Sequence, residues 1–556
     1  MEDKVLFLDN RSLLQNYRHL SGSELVNRIL SLPRPGDYIR TLSCQDFYWL
    51  IKKIGADDSL PLLQLASEEQ WQYILDLEIW DRDLFHLERA AGWFQRLILA
   101  DGERFARWLI EGDDDQYLIH YFLHRSLEIV NSEEKDFPND LNDFFSLDGV
   151  FYFRAKDANL QTTIDTLLRL IAADEFARYY NLLVNVPMVI PAELEEELYR
   201  QRNVRLAEQG FLPREEALII YAPLEEGKLA SIYPAVLPIS VSDVDTPSPQ
   251  LPLLFIPQEG VLAYALTQIN DPLLLDRLRL EFAGLVNTII SADGLPIEEL
   301  EDLEGTVKKA ADYLNLALEN LCTENIGQAK EILTNYALMD LFRMGYTYLL
   351  KLHWKAKRWY KESWFKNKGL DFSFWGEQRG NILEGLLRME PLLYDPANPE
   401  GYLYRRFSRR KDLSLCEKNL QEIIVMDKLL GQIERSYSLP EEAKGITFSN
   451  LIFTLWARKV LESNVSFTPL SMEELRSFFQ KLRNEEKTPP FRYSPWREAF
   501  INDFISFLPP FIEKDTTSLL QGALTQLWEE FVEEYAYVPL NELDGRYTSH
   551  FFLTKN

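Results

Sequence analysis

The sequence predicts a mainly α, multi-domain protein with superhelical or repeat-like N-terminal helices and a small mixed α/β insert. Three observations carry this reading. A period of about 3.6 residues runs through the apolar positions from Leu262 onward. Short helices with strong start signals fill residues 20–130. Strand-like runs cluster between residues 147 and 260.

The N-terminal helices come first. Ser43, Ser67 and Asp101 are placed to cap helices, each side-chain oxygen accepting from a free backbone N–H. Gln45, Glu69 and Glu103 follow in the first turn, where polar or negative groups suit the helix dipole. An aromatic stands four residues after each cap: Phe47, Trp71 and Phe105. Asp113 begins a weaker copy with Tyr117 and Tyr121. Two readings stay open, a stack of short helices that bury their faces on one another and an ordinary globular helical domain. The acidic, turn-rich stretch 131–149 reads as a loop.

In the insert, Val150–Phe153 and Ala217–Tyr221 read as strands, and a helix is expected from Leu160 to Leu183. Val184–Ile190, β-branched and interrupted by Pro187, reads as extended. Six prolines between Pro234 and Pro257 read as a stiff linker. Further breaks fall at 391–402, at Ser438–Pro440 and at Pro509–Pro510. The expected organisation is a helical repeat-like domain at 1–146, a mixed α/β region at 147–260, a helical domain at 261–400 and a C-terminal helical domain at 401–556.

Charge narrows the partners. A net charge of -28 argues against a general grip on DNA or RNA, which requires a positive field around phosphates. Hydrophobic residues at 46% are enough to fill several cores, so the acidity is not that of a disordered chain. Cys44, Cys322 and Cys416 are dispersed and lack metal-ligand or disulfide spacing. The charged N-terminus does not read as a secretory signal, and no apolar run approaches about 18 residues, so a cytoplasmic protein without membrane insertion is expected.

Glycine-rich phosphate loops, the nucleophile elbow and the HExxH zinc motif do not occur in the chain. Gly227-Lys228 lacks the companion residues of a phosphate loop. Asp293-Gly294 lacks the first and last ligands of a calcium loop. His120, His124 and Glu128 fall at i, i+4 and i+8, which on one helix puts two imidazoles and a carboxylate on one face, a weak candidate for a divalent metal. A packing or hydrogen-bonding role is the stronger reading of the three, so neither metal nor cofactor is expected. Arg200, Arg202 and Arg205 beside Glu195, Glu196 and Glu197 read as ion pairs on a helix, or as part of a composite enzyme site near 147–260.

The most distinctive electrostatic feature is residues 351–368, with seven Lys/Arg, one Glu and five interleaved aromatics. Residues 405–411 add five more cations. In a helix, Gly345, Leu349, Leu352, Ala356 and Trp359 form an inward stripe, while Lys351, Lys355, Arg358 and Glu362 share the outward face. Lys351, Lys355 and Arg358 are the expected partner-binding residues.

The segment YRQRNVRLAEQGFLPREEALIIYAPL (199–224), the ADGLPIEELEDLEG region and the LMDLFRMGYTYLLKLHWKAKRW region resemble a bacterial family of about this length with no assigned function. That resemblance implies no activity and carries over no site residue. The short helices of 20–130 weakly resemble the helical N-terminal domain of MgtE-type magnesium transporters, without the transporter's membrane part. The expected function is a helical scaffold or regulatory protein acting through another protein. The alternatives are an enzyme with a site near 147–260 and an anion- or nucleic-acid-binding module using 351–368.

Overall fold

The computed structural model describes residues 20–554 apart from 82, 112–114, 134–140, 142, 230–246, 295–298, 323–326, 438–444, 464, 484–487 and 509–513. Twenty-four α-helices and three two-stranded antiparallel pairs make up the regular structure among the described residues, so the protein is mainly α. Its packing divides into two units: residues 1–314 with 321–343, and residues 315–320 with 344–556. The boundaries expected at 146/147 and 260/261 both fall inside the first unit. Residues 234, 238, 440, 509 and 510, five of the expected prolines, and the expected cap at 113 lie outside the described residues.

In the first unit the capping chemistry is as the sequence expects. Ser43 Oγ accepts from Asp46 N at 3.0 Å to start the helix Cys44–Ile54. Ser67 and Gln70 form a reciprocal capping box at the start of Glu68–Glu78. Asp101 interrupts the helix Leu87–Glu111 with φ −160° and ψ 80°, and its carboxylate accepts from Arg104 N at 3.3 Å, restarting the helix. Phe47, Trp71 and Phe105 are fully buried, with Trp71 edge-on to Phe105 at 6.1 Å. The aromatic four residues past each cap therefore points inward, where it contributes about 2–3 kcal/mol of apolar burial.

This layer is joined to residues far along the chain by polar contacts. Gln45 Nε2 donates to Asn287 Oδ1 at 3.0 Å, and Asn287 Nδ2 donates to Gln209 O at 2.6 Å. Asp46 accepts from Gln250 N at 2.8 Å and from Leu251 N at 2.9 Å. Burial pushes the Asp46 carboxyl up to about 6 even though these N–H groups favour its charge. Gly210, at φ +86°, lies so close to Gly284 in the helix Pro272–Asp293 that a Cβ at 210 would stand 2.7 Å from Gly284 Cα. Only glycine satisfies both the conformation and the approach there.

Within the expected mixed region at 147–260, the strand content is smaller than the sequence predicts. Phe151–Ala155 is a strand, with Phe151, Phe153 and Ala155 buried in alternation, and it pairs antiparallel with Leu127–Asn131. Ala217–Tyr221 is not a strand. A helical turn over Arg214–Ala217 continues as a 3-10 turn over Leu218–Tyr221, burying Ala217 and Ile220 and exposing Leu218 and Ile219. Burial three residues apart is a helical spacing, and Pro213 at the N-cap, with Glu215 and Glu216 in the first turn, starts the turn. Val186–Met188 is likewise a 3-10 turn rather than extended chain. The expected helix 160–183 is two helices, Gln161–Asp174 and Phe176–Asn185, separated where Glu175 takes φ −150° and ψ 107°.

The second unit is held by aromatic packing. Phe453, Trp456, Phe500, Trp528 and Phe531 gather between helices Phe448–Val460, Ser494–Ile505 and Lys514–Tyr535, with Phe453 stacked on Phe500 at 5.0 Å and on Phe531 at 4.7 Å. Against this cluster lies the C-terminal segment. Leu470 N donates to Phe552 O at 2.8 Å and Thr554 N to Leu470 O at 3.0 Å. The buried His550 places Nδ1 2.8 Å from Glu534 Oε2, an oxygen that also accepts from Ser549 Oγ at 2.7 Å. Burial opposes the Glu534 charge, but hydrogen bonds from His550 and Ser549 prevail and hold its carboxyl at about 2.

Candidate functional site

The helix Leu338–Glu362 carries the basic aromatic run. Gly345, Leu349, Leu352 and Ala356 are buried along it as the helical stripe requires, whereas Trp359, expected on the same inward stripe, is half-buried. Lys351 and Arg358 are exposed, and Lys355 is half-exposed with Nζ 3.0 Å from Glu417 Oε1. Glu417 belongs to the helix Arg410–Ser436, which runs beside this one.

Phe365 of the run is buried, and Trp359, Tyr360 and Trp364 are half-buried. Trp359 Nε1 donates to Asp427 Oδ2 at 3.3 Å, and Phe365 N donates to Asp427 Oδ1 at 2.9 Å. Trp364 Nε1 donates to Glu434 Oε2 at 2.7 Å. Burial pushes the Asp427 carboxyl up despite these donors. Trp354 differs, since 43% of it is exposed. It lines a groove of about 450 Å³ with Lys351, Lys355, Arg358, Trp359 and, from the neighbouring helix, Ile424. Glu362 stands at the same groove. The arrangement offers an apolar floor flanked by cations, suited to an anionic group attached to an apolar one.

In the second basic run, Arg405 is built into the fold, while Arg410 and Lys411 are exposed. Arg405 Nε donates to Asp395 Oδ2 at 2.7 Å, and its two terminal nitrogens donate to the two Asp412 oxygens at 2.9 and 3.0 Å. Partial burial disfavours the guanidinium charge, yet these carboxylates hold its pKa above the ordinary value. Asp412 also accepts from Arg409 N at 3.1 Å at the start of the helix Arg410–Ser436. This network borders a cavity of about 870 Å³.

The metal candidates do not share a helix face. The helix Asp115–Ser126 ends before Glu128, which lies on the strand Leu127–Asn131 and accepts from Arg154 Nη2 at 2.6 Å. His124 Nδ1 is 3.1 Å from Val186 O. A strand alternates its side chains, so the helical i+8 position of Glu128 is lost. Among the described residues, no group of three or more His, Cys, Asp or Glu is placed to hold a metal ion.

Of the arginines at 200–205, Arg200 pairs along its own helix while Arg202 and Arg205 reach another. Arg200 pairs with Glu197 at 2.6 Å. Arg205 grips the buried Asp76 with two bonds of 2.8 Å, and Arg202 Nε donates to Asp76 O at 2.6 Å, fixing the helix Pro191–Glu208 against Glu68–Glu78. Asp293 accepts from Tyr221 at 2.6 Å and pairs with Lys309 at 3.0 Å, so it supports helix packing. Ile424, Glu417 and the carboxylates around Arg405 escape sequence reasoning, because only the fold brings them to the basic runs.

The fold and groove define a helical protein of two units whose second unit presents a cation-lined aromatic groove. The chain belongs to the family of unknown function DUF6178, which it matches over residues 5–554. No curated protein and no solved structure matches it, so the likeness of residues 20–130 to the transporter domain gains no support. Among the described residues, no helix is long and apolar enough to cross a membrane.

Proposed function

We propose that the chain works through contact with another protein, holding an acidic segment of that partner in the groove between helices Leu338–Glu362 and Arg410–Ser436. One observation carries the reading: Lys351, Lys355 and Arg358 stand beside the exposed Trp354 in a chain whose net charge is -28. A local positive island in an acidic molecule steers and orients an acidic partner, while adding little to stability. The Trp354–Ile424 floor accepts an aliphatic or aromatic anchor from the same segment.

The test uses a fluorescein-labelled peptide of mixed Glu and Leu, read by fluorescence anisotropy. Wild type binds it, with affinity falling as salt rises from about 50 to about 500 mM. A Lys351→Glu, Arg358→Glu variant leaves the Lys355–Glu417 pair intact, keeps its helical circular dichroism and binds about tenfold or more weakly. Equal binding by wild type and variant, or equal binding of a Lys/Leu peptide, overturns the proposal.

A further inference from the structure

The cavity of about 870 Å³ in the second unit is in the range of small-molecule sites. It lies between the first turn of the helix Glu377–Leu387, the strand pair formed by Leu393–Tyr394 and Tyr404–Arg405, and the start of Arg410–Ser436. Ile382, Leu393 and Leu415 give it an apolar wall.

The hydrogen-bonding balance of its polar wall is one-sided. The donors of Arg405 are directed at Asp395, Asp412 and the Arg406 carbonyl. The Tyr394 hydroxyl donates to Glu377 Oε1 at 3.2 Å. Two carboxylates thus share one guanidinium, and Glu377 adds a further negative charge beside an aromatic ring. Asp412 is further satisfied by Ser408 N and Arg409 N, and Asp395 Oδ1 accepts from Ala397 N, so the acceptor capacity that remains is chiefly that of Glu377 and Asp395, each carboxylate accepting several hydrogen bonds. Lys411, exposed at the same cavity, is the one cation on its wall outside this network.

We infer that this cavity is a binding site for an organic ammonium compound, its apolar body against Ile382, Leu393 and Leu415 and its charged head between Glu377, the Tyr394 ring and Asp395. The ammonium donates to Glu377 and Asp395, and the ring face adds a cation–π contact. If Lys411 dominates instead, the cavity selects an organic anion of the same size. The site is independent of the groove at Trp354.

Two probes of matched shape separate these outcomes: phenethylamine, a cation, and hydrocinnamate, an anion. Isothermal titration of the full chain is expected to show phenethylamine binding about tenfold or more tightly than hydrocinnamate, the size of one charge-assisted hydrogen bond. Glu377→Gln keeps an acceptor for the Tyr394 hydroxyl and removes the charge, so it retains its melting temperature and loses most of the preference for the cation. A preference for hydrocinnamate, no binding of either probe, or an unchanged preference in Glu377→Gln overturns the inference.

Discussion

Removing either partner of the Asp76–Arg205 pair is expected to have unequal consequences. The Asp76 side chain is 5% exposed and the Arg205 side chain 34% exposed, and the two share a bidentate contact of 2.8 Å per bond. Breaking a buried ion pair by deleting one member costs about 3–5 kcal/mol, mostly through the charge left behind. Asp76→Ala strands an arginine that turns partly into water, so about 2 kcal/mol is lost. Arg205→Ala strands a carboxylate buried beside Gln72, whose Nε2 donates to it at 3.0 Å, and about 3–4 kcal/mol is lost. Unfolding entropy of about 2.1 cal/mol/K per residue over roughly 340 residues makes these losses shifts of about 3 and about 5 °C. Thermal unfolding followed by circular dichroism reads them, and the double variant completes a cycle with coupling of at least about 1.5 kcal/mol. A larger loss in Asp76→Ala than in Arg205→Ala, or additive losses, would refute the argument that the buried carboxylate is the costly orphan.

Two further outcomes follow from the fold. Gly210→Ala places a methyl group 2.7 Å from Gly284 Cα at a φ of +86°, and strain plus overpacking are expected to cost about 2–4 kcal/mol in urea unfolding, against under about 0.5 kcal/mol for Gly227→Ala, where the added Cβ meets nothing within 4 Å. Glu534, with its carboxyl lowered from 4.5 to about 2, stabilises the fold above its unfolded pKa and loses that contribution as pH falls from 4.5 toward 2. The shift corresponds to about 3 kcal/mol, which partial exposure reduces to about 2. Glu534→Gln is therefore less stable than wild type at neutral pH, and a gap that fails to narrow between about pH 5 and pH 3 contradicts the assignment.

The class of fold and the basic helix face are legible in the sequence because both are periodic. Ser43, Ser67 and Asp101 mark helix starts by local chemistry that needs no tertiary partner. Lys351, Lys355 and Arg358 fall on one face by helical spacing alone. Ala217–Tyr221 misleads because an apolar run of five fits a strand and a buried turn equally, and what decides is Pro213 and the buried sides of Ala217 and Ile220. Glu128 misleads by two residues, since the helix stops at Ser126 and the strand partner lies at Arg154. The cavity walls are not legible at all: Glu377, Asp395 and Asp412 carry no shared spacing, and Arg405 is read as a free cation until its two carboxylates are in place.

The reach of Asp46 has a consequence for synthesis. Its carboxylate finds its backbone partners at Gln250 and Leu251, and its neighbour Gln45 finds Asn287. A ribosome adding about 5–20 residues per second takes on the order of 10–40 s to cover that interval. Throughout it, the helix Cys44–Ile54 presents a carboxylate and an amide on a face that belongs indoors, so the early helices emerge with a wet side and dock only when the later ones arrive. The first unit is thus closed from its far end, and nascent chains halted before residue 250 retain an unsealed N-terminal layer.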